Sequence, residues 1–186
     1  MEKMAAKNSA RVIDLLTERL VFERAGVRLY DQVIARMRES SDENITRMLE
    51  TMQEHRGEEK EHEEWLEECI RKLGGDPDAE TEHSRLVREE SKGIEEVVEN
   101  DTSLPHLFHA LLMAELADNA GWDLLHGIAS ELGDSAAKKE FAKRLREEAD
   151  HLLFVRKAVQ KFALSETTGE PQKMPKGSGA VETLLK

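Results

Sequence analysis

Apolar residues recur every three or four positions through four long stretches of the chain, the period of an amphipathic helix. In the first stretch, about Ser9 to Arg38, one face carries Ile13, Leu16, Leu20, Val27, Tyr30, Ile34 and Met37 and is interrupted by Glu23. The second opens at Ser40-Ser41-Asp42-Glu43, a capping-box spacing, and stops at Gly74-Gly75 with Pro77 just beyond. The third begins near Ser103-Leu104-Pro105 and ends before Gly133, and the fourth starts at Asp134-Ser135 and fades after Leu164. Short polar turns join the first to the second and the third to the fourth, so each pair is predicted to form an antiparallel hairpin. Gly75 to Thr102 is a longer connection with a weaker helical stretch, roughly Glu80 to Glu99, anchored by Leu86, Val87, Ile94, Val97 and Val98. That length can travel back along a bundle. The predicted fold is therefore all-α: a four-helix bundle over residues 1–164 whose two hairpins are joined by a long crossover containing a short extra helix. Residues 165–186 read as an irregular C-terminal tail. Its apolar patches, Ala180-Val181 and Leu184-Leu185, suit a frayed terminus or a docking peptide.

Composition narrows the function classes. Across 186 residues, 39 acidic against 27 basic side chains give a net charge of −12. A nucleic acid needs a basic face to neutralise its phosphates, and an anionic membrane is disfavoured for the same reason. The single cysteine, Cys69, excludes an internal disulfide and a CxxC metal knuckle. The first residues carry no apolar leader, and no apolar run approaches the ~18 residues of a membrane span, so a cytoplasmic location is expected.

The polar residues on the apolar seams carry the chemistry. The second helix places His55, Glu59 and His62 between Met48 and Met52 on one side and Leu66 and Cys69 on the other. The third places Glu115 and Asp118 between Leu111 and Trp122; the fourth places Arg144, Glu148 and His151 between Phe141 and Val155. Buried, unpaired carboxylates cost several kcal/mol each and repel one another, so their convergence calls for a cation. The pattern also repeats. Glu23 is followed by Glu59-x-x-His62, and Glu115 by Glu148-x-x-His151; Tyr30 and Trp122 each stand seven residues after the first glutamate of their half. Residues at i and i+3 share a helix face, so each pair can reach one metal centre. A third Glu-x-x-His, Glu80 to His83, lies on the crossover without a glutamate-bearing partner helix and reads as an accident of composition.

This arrangement resembles the ferritin-like superfamily of di-iron and di-manganese carboxylate proteins, over roughly Arg11 to Phe162. The resemblance implies Glu23, Glu59, His62, Glu115, Glu148 and His151 as ligands of two iron or manganese ions, Glu59 and Glu148 bridging. Histidine in both halves is similar to the rubrerythrin, bacterioferritin and manganese-catalase branches. There is no rubredoxin-type pair of CxxC motifs. Where bacterioferritins place a haem methionine stands Lys60, so no haem is expected. Asp118 replaces the extra glutamate of rubrerythrins. The chain is most similar to a rubrerythrin-like protein without the rubredoxin domain.

What this implies is a non-haem di-iron oxidoreductase of peroxidase or ferroxidase type, oxidising Fe²⁺ with H₂O₂ or O₂ and drawing electrons from an unidentified donor. The alternatives are an iron-storage or encapsulated ferritin-like protein and a di-manganese catalase. Tyr30, Trp122 and Asp118 are expected around the metals: the aromatics as electron relays or ligand-bonding packing residues, Asp118 as an alternate ligand or as acceptor for a ligand histidine N–H. His55 reads as an extra ligand, a positioning group or a core histidine. Arg144 reads as a counter-charge to the carboxylates or a bundle-end arginine, and Met48 and Met52 as core fillers. Glu63, Glu64, Glu67 and Glu68 read as a solvated face. A homo-oligomer, at least a dimer, is expected to meet at Val21 and Phe22.

Overall fold

The computed structural model describes residues 1–177. Six helices follow in order: α1 (Glu2–Arg38), α2 (Glu43–Thr46), α3 (Leu49–Lys72), α4 (Glu82–Asn100), α5 (Leu104–Glu131) and α6 (Ser135–Thr168). Helices α1 and α3 pack as one hairpin and α5 and α6 as the other, while α4 lies against α1 and α5 as the crossover. The chain is an all-helical four-helix bundle with one extra helix, as the pattern predicts.

The ends differ in instructive ways. An extra segment from Glu2 precedes the predicted start at Ser9, and the backbone breaks at Asn8 (φ −162°, ψ 89°). Asn8 Oδ1 accepts from Arg11 N at 3.0 Å, so the break is a cap for the helix that follows. The predicted second helix is divided into α2 and α3 at Arg47 and Met48. No capping box forms at Ser40–Glu43; Asp42 caps α2 through Asn44 N at 2.8 Å. The box occurs on α4, where Thr81 and Ser84 bond reciprocally. Gly74 (φ +81°) and Gly133 (φ +64°) end α3 and α5 in the left-handed region, where a β-carbon is strained. Asp134 then serves two helices: it accepts from Ala137 N at 3.1 Å, capping α6, and from Lys3 N at 2.9 Å, tying down the start of α1.

Helix α6 runs to Thr168, four residues beyond its predicted end. From there the chain folds back, burying Met174 and donating Gly177 N to Thr51 Oγ1 at 3.0 Å. The patches at Ala180-Val181 and Leu184-Leu185 lie outside the described residues.

Two apolar clusters fill the bundle. One gathers Tyr30, Val33, Met37, Met48, Met52, Phe108, Val155 and Phe162. The other gathers Leu16, Leu20, Leu66, Ile70, Trp122, Leu125 and Phe141. Each large apolar side chain so buried contributes about 1.5–3 kcal/mol. Met48 and Met52 are the core fillers expected. Val21 and Phe22 are not a free surface: Phe22 is 8 % exposed beneath the Arg19 guanidinium, and Val21 packs on the first cluster. Between the clusters lies a polar layer.

Candidate metal centre

Helical periodicity brings the six predicted residues to this layer from four helices: Glu23 from α1, Glu59 and His62 from α3, Glu115 from α5, and Glu148 and His151 from α6. All are at most 2 % exposed. Their donor atoms fall into overlapping sets, each within 4.8 Å: Glu59, Glu115, Glu148 and His151; Glu23, His62 and Glu148; and Glu23, Glu59, Asp118 and Glu148. Glu148 belongs to all three, and Glu23 and Glu59 to two each. The third motif histidine, His83, stands apart against Asp14 (2.8 Å) and Arg11 (2.9 Å).

Each end group is held on its outer side by the opposite half of the chain. Tyr30 Oη donates to Glu115 Oε1 at 2.5 Å, and Trp122 Nε1 donates to Glu23 Oε1 at 2.8 Å. His62 Nε2 pairs with Glu147 Oε2 at 3.0 Å, and His151 Nε2 with Glu58 Oε2 at 2.7 Å. These contacts leave Glu23 Oε2, Glu59 Oε2, Glu115 Oε2, both Glu148 oxygens and the Nδ1 atoms of His62 and His151 without a hydrogen-bond partner among the described residues. His62 Nδ1 stands 2.8 Å from Glu148 Oε1, yet the pair lacks hydrogen-bond geometry. Buried polar atoms are nearly always satisfied. Seven orphaned donor atoms, hard oxygens with two imidazole nitrogens, fit a metal cation.

Charge states follow from the same crowding. Burial raises the Glu115 carboxyl to about 8, with His151 opposing and Glu148 adding. Burial, then Glu148 and Glu23, push Glu59 and Asp118 well above the usual carboxylate range. Burial opposes the charge of Glu148, but His151 and His62 hold its carboxyl below that range. For His62 and His151 burial likewise opposes charge, and the surrounding carboxylates outweigh it and raise both imidazoles. Protons thus stand where cations would.

Two further groups complete the layer; Asp118 falls in a donor set, as an alternate ligand would, but is not the acceptor for a ligand histidine. The acceptors for the histidine N–H groups are Glu58 and Glu147, not Asp118. Each directly precedes its motif glutamate, a regularity visible in the sequence but lost among many surface glutamates. Asp118 lies 3.0 Å from the Arg19 guanidinium, which also donates to the Asp118 carbonyl at 2.9 Å. Arg19, 3 % exposed, is thus the buried cation beside the carboxylates. Arg144 is buried as well, but it stacks 3.6 Å above the Trp65 ring and bonds Glu140, away from the ligand oxygens. Arg19 stands one turn before Glu23 on the same face, which is the signal that marks it.

Two glycines make the space. A β-carbon on Gly26 would stand 2.7 Å from Glu59 Oε2, and one on Gly121 would stand 1.7 Å from Arg19 Nη1. Gly26 and Asp118 occupy the same position in the two halves, three residues after the first glutamate. The second half thus carries an extra acid, and Arg19 of the first half balances it. His55 is fully buried, 4.2 Å from the His151 ring between centroids, and neither of its nitrogens has a partner among the described residues. Burial, and then the neighbouring His151, lower it to about 2. On the surface, Glu63 and Glu67 are not merely solvated: they pair with Arg24 at 3.7 and 2.6 Å.

A family model described as a ferritin-like domain matches residues 13–165. The chain belongs to the ferritin-like family. No curated protein and no solved structure matches it. No helix among the described residues is long and apolar enough to cross a membrane.

Proposed function

We propose that this ferritin-like protein is a rubrerythrin-like di-iron oxidoreductase, a peroxidase or ferroxidase that handles oxidant or iron in the cytoplasm. One observation carries the reading: seven buried donor atoms, divided between two histidine-containing sets that share Glu148, point inward without partners. Glu23 with His62 would hold one ion and Glu115 with His151 the other, the histidines through Nδ1, and Glu59 and Glu148 would be shared between them. The bound pair would supply the two electrons that reduce H₂O₂ or O₂ while Fe²⁺ becomes Fe³⁺.

The chain's own groups do the rest. Trp122 and Tyr30 fix one oxygen each of Glu23 and Glu115, leaving the other oxygen of each free to hold a metal. Glu147 and Glu58 fix the imidazole rings so that Nδ1 faces inward, the positioning that tunes a ligand histidine. The two apolar clusters exclude competing water. Tyr30 Oη donates to Glu115, and burial and then Glu115 raise its pKa well above the usual phenol range, so it stays protonated. It is thereby a proton donor to Glu115 rather than a charged relay.

Metal content per chain, measured by mass spectrometry before and after anaerobic Fe²⁺ loading, tests this reading. About two irons per chain, with an oxo-bridged ferric absorption after H₂O₂ or O₂, would support it, and the faster oxidant would separate peroxidase from ferroxidase. Two manganese ions with O₂ evolved from H₂O₂ would replace it with a catalase. A closed particle holding mineral would replace it with storage. No metal under either condition would sink it.

A further inference from the structure

Between α1 and α4 lies a cavity of about 300 Å³ that none of the six residues of the candidate centre lines. Its apolar lining is small, Val21 and the buried Ala25. Its charged lining is four cations to one acid: Arg24 and Arg28 from α1, Arg88 and Lys92 from α4, and Glu95. Each pair of cations is spaced i, i+4 and so shares one helix face, and the two faces meet across the cavity. In a chain carrying −12 overall, such a concentration of positive charge is where an anion would settle.

The cations are held, but loosely. Arg28 pairs with Glu95 at 2.9 Å, Arg88 with Glu80 at 3.4 Å and Lys92 with Glu89. These three basic side chains are 62 %, 52 % and 64 % exposed, and exposed pairs contribute little, so an incoming anion can draw them in. Arg24 is bound to Glu67 at 2.6 Å and to Asp78 at 3.0 Å and stays a fixed charge in the wall. The Ser91 hydroxyl decides what the cavity suits. Ser91 is 7 % exposed and lines the cavity, and its Oγ has no hydrogen-bond partner among the described residues. A helical serine or threonine can return its hydroxyl to a carbonyl one turn back, as Thr17, Thr167 and Thr168 do here. Ser84, earlier in α4, bonds to Thr81 instead. Ser91 does neither, and a buried hydroxyl calls for a partner. A hydroxyl donor among guanidinium and ammonium groups is complemented by an anion rich in acceptor oxygens.

We infer that the cavity between α1 and α4 binds a phosphate group, either as the free ion or at the end of a small organic molecule. The forked donors of Arg28 and Arg88 match phosphate oxygens, and Lys92 adds a point charge. Phosphate offers enough oxygens to take these groups and the Ser91 hydroxyl at once, whereas a carboxylate has only two. A cavity of about 300 Å³ is at the lower end of the range for small-molecule sites, so an organic body has room over Val21 and Ala25. The site does not depend on the metal centre and would stand without it.

Isothermal titration calorimetry of the full chain with inorganic phosphate, with ribose 5-phosphate and, as the uncharged control, with ribose tests the proposal. Both phosphates should bind with dissociation constants of about 0.1–1 mM, the scale of a few exposed charge-assisted bonds, and ribose should not. Tighter binding of ribose 5-phosphate would identify an organic phosphate as the ligand; equal or weaker binding would identify the free ion. Arg88→Ala and Lys92→Ala should each weaken binding about tenfold. Ser91→Ala should weaken it by about three- to tenfold while leaving the unfolding midpoint unchanged or higher, because it removes an unpaired hydroxyl. Glu95→Gln should tighten it by about threefold, by removing a like charge and releasing Arg28. The altered cations are exposed, so these variants should fold as the parent does. No binding of either phosphate up to about 10 mM overturns the proposal. So does ribose binding as tightly as its phosphate, or an affinity indifferent to the Ser91, Arg88 and Lys92 variants, which would place the anion elsewhere, the metal centre included. A weaker Glu95→Gln protein would overturn it as well.

Discussion

Replacing Gly121 by alanine adds one methyl group to a helix and should nevertheless unfold the protein at lower denaturant. The new β-carbon would lie 1.7 Å from Arg19 Nη1 and 2.5 Å from its Cζ. Ordinary contact begins near 3.4 Å, so the guanidinium must retreat by about 1.7 Å (3.4 − 1.7). Such a retreat breaks its 3.0 Å contact with the Asp118 carboxylate and its 2.9 Å bond to the Asp118 carbonyl. Both partners are buried, at 3 % exposure each. Breaking a buried pair costs about 3–5 kcal/mol, while alanine for glycine inside a helix returns about 1 kcal/mol. A net loss of about 2–4 kcal/mol follows, or a urea midpoint lower by about 1–2 M at a slope near 2 kcal/mol/M. Equilibrium urea unfolding of metal-free protein measures it. Gly57→Ala is the control, since no atom lies within 4 Å of its added carbon; it should stabilise. In an Arg19→Met background the Gly121 substitution should cost nothing further, because the methyl group then meets no guanidinium. A Gly121→Ala protein as stable as Gly57→Ala would refute the placement of Arg19.

Four further outcomes are expected. Glu148→Ala should abolish metal loading at both sets, whereas Glu23→Ala should spare the set of Glu59, Glu115 and His151, as metal content per chain will show. Metal uptake near pH 7 should release protons, detected by calorimetry in buffers of different ionisation enthalpy, and affinity should fall as pH falls. The raised Glu115 carboxyl sets one such window: its proton stabilises the metal-free fold fully below 4.5, and that contribution is lost as pH rises through about 8. Glu58→Gln and Glu147→Gln should each weaken metal binding by about 10- to 100-fold by releasing an imidazole; unchanged affinity would deny them that part. His55→Leu should leave the metal-free protein as stable or more stable by about 1 kcal/mol, because it removes two unsatisfied nitrogens; loss of metal in that variant would mean that His55 holds an ion or its water.

The bundle was legible because its determinants are periodic. Seams such as Leu16, Leu20, Glu23, Val27 and Tyr30 state both the helix and the face it buries, and Gly74 and Gly133 state where α3 and α5 stop. The convergence of Glu23, Glu59, His62, Glu115, Glu148 and His151 was legible for the same reason, since a carboxylate on an apolar seam has nowhere to go but inward. The residues that missed are those whose part depends on three-dimensional neighbours. Glu58 and Glu147 look like any surface glutamate until a histidine ring is placed beside them. Arg19 and Arg144 both stand one turn before a motif glutamate; only packing sends one to Asp118 and the other onto Trp65. Gly121 marks the first of these choices, but a helical glycine does not announce which side chain it admits. Val21 and Phe22 looked exposed because the crossover's path over α1 is not written in their own spacing.

The cross-bonding of the two hairpins also bears on how this sequence can change over generations. Glu23 takes its outer hydrogen bond from Trp122, 99 positions away, and Glu115 takes its own from Tyr30, 85 positions away. His62 depends on Glu147 and His151 on Glu58 in the same manner. Neither repeat therefore contains a complete set of instructions for its own half of the centre. A substitution at Tyr30 is felt at Glu115 and one at Trp122 at Glu23, so tolerated changes should arrive as matched pairs spanning the repeat. The two hairpins, however far their other residues diverge, are bound to inherit one another's alterations.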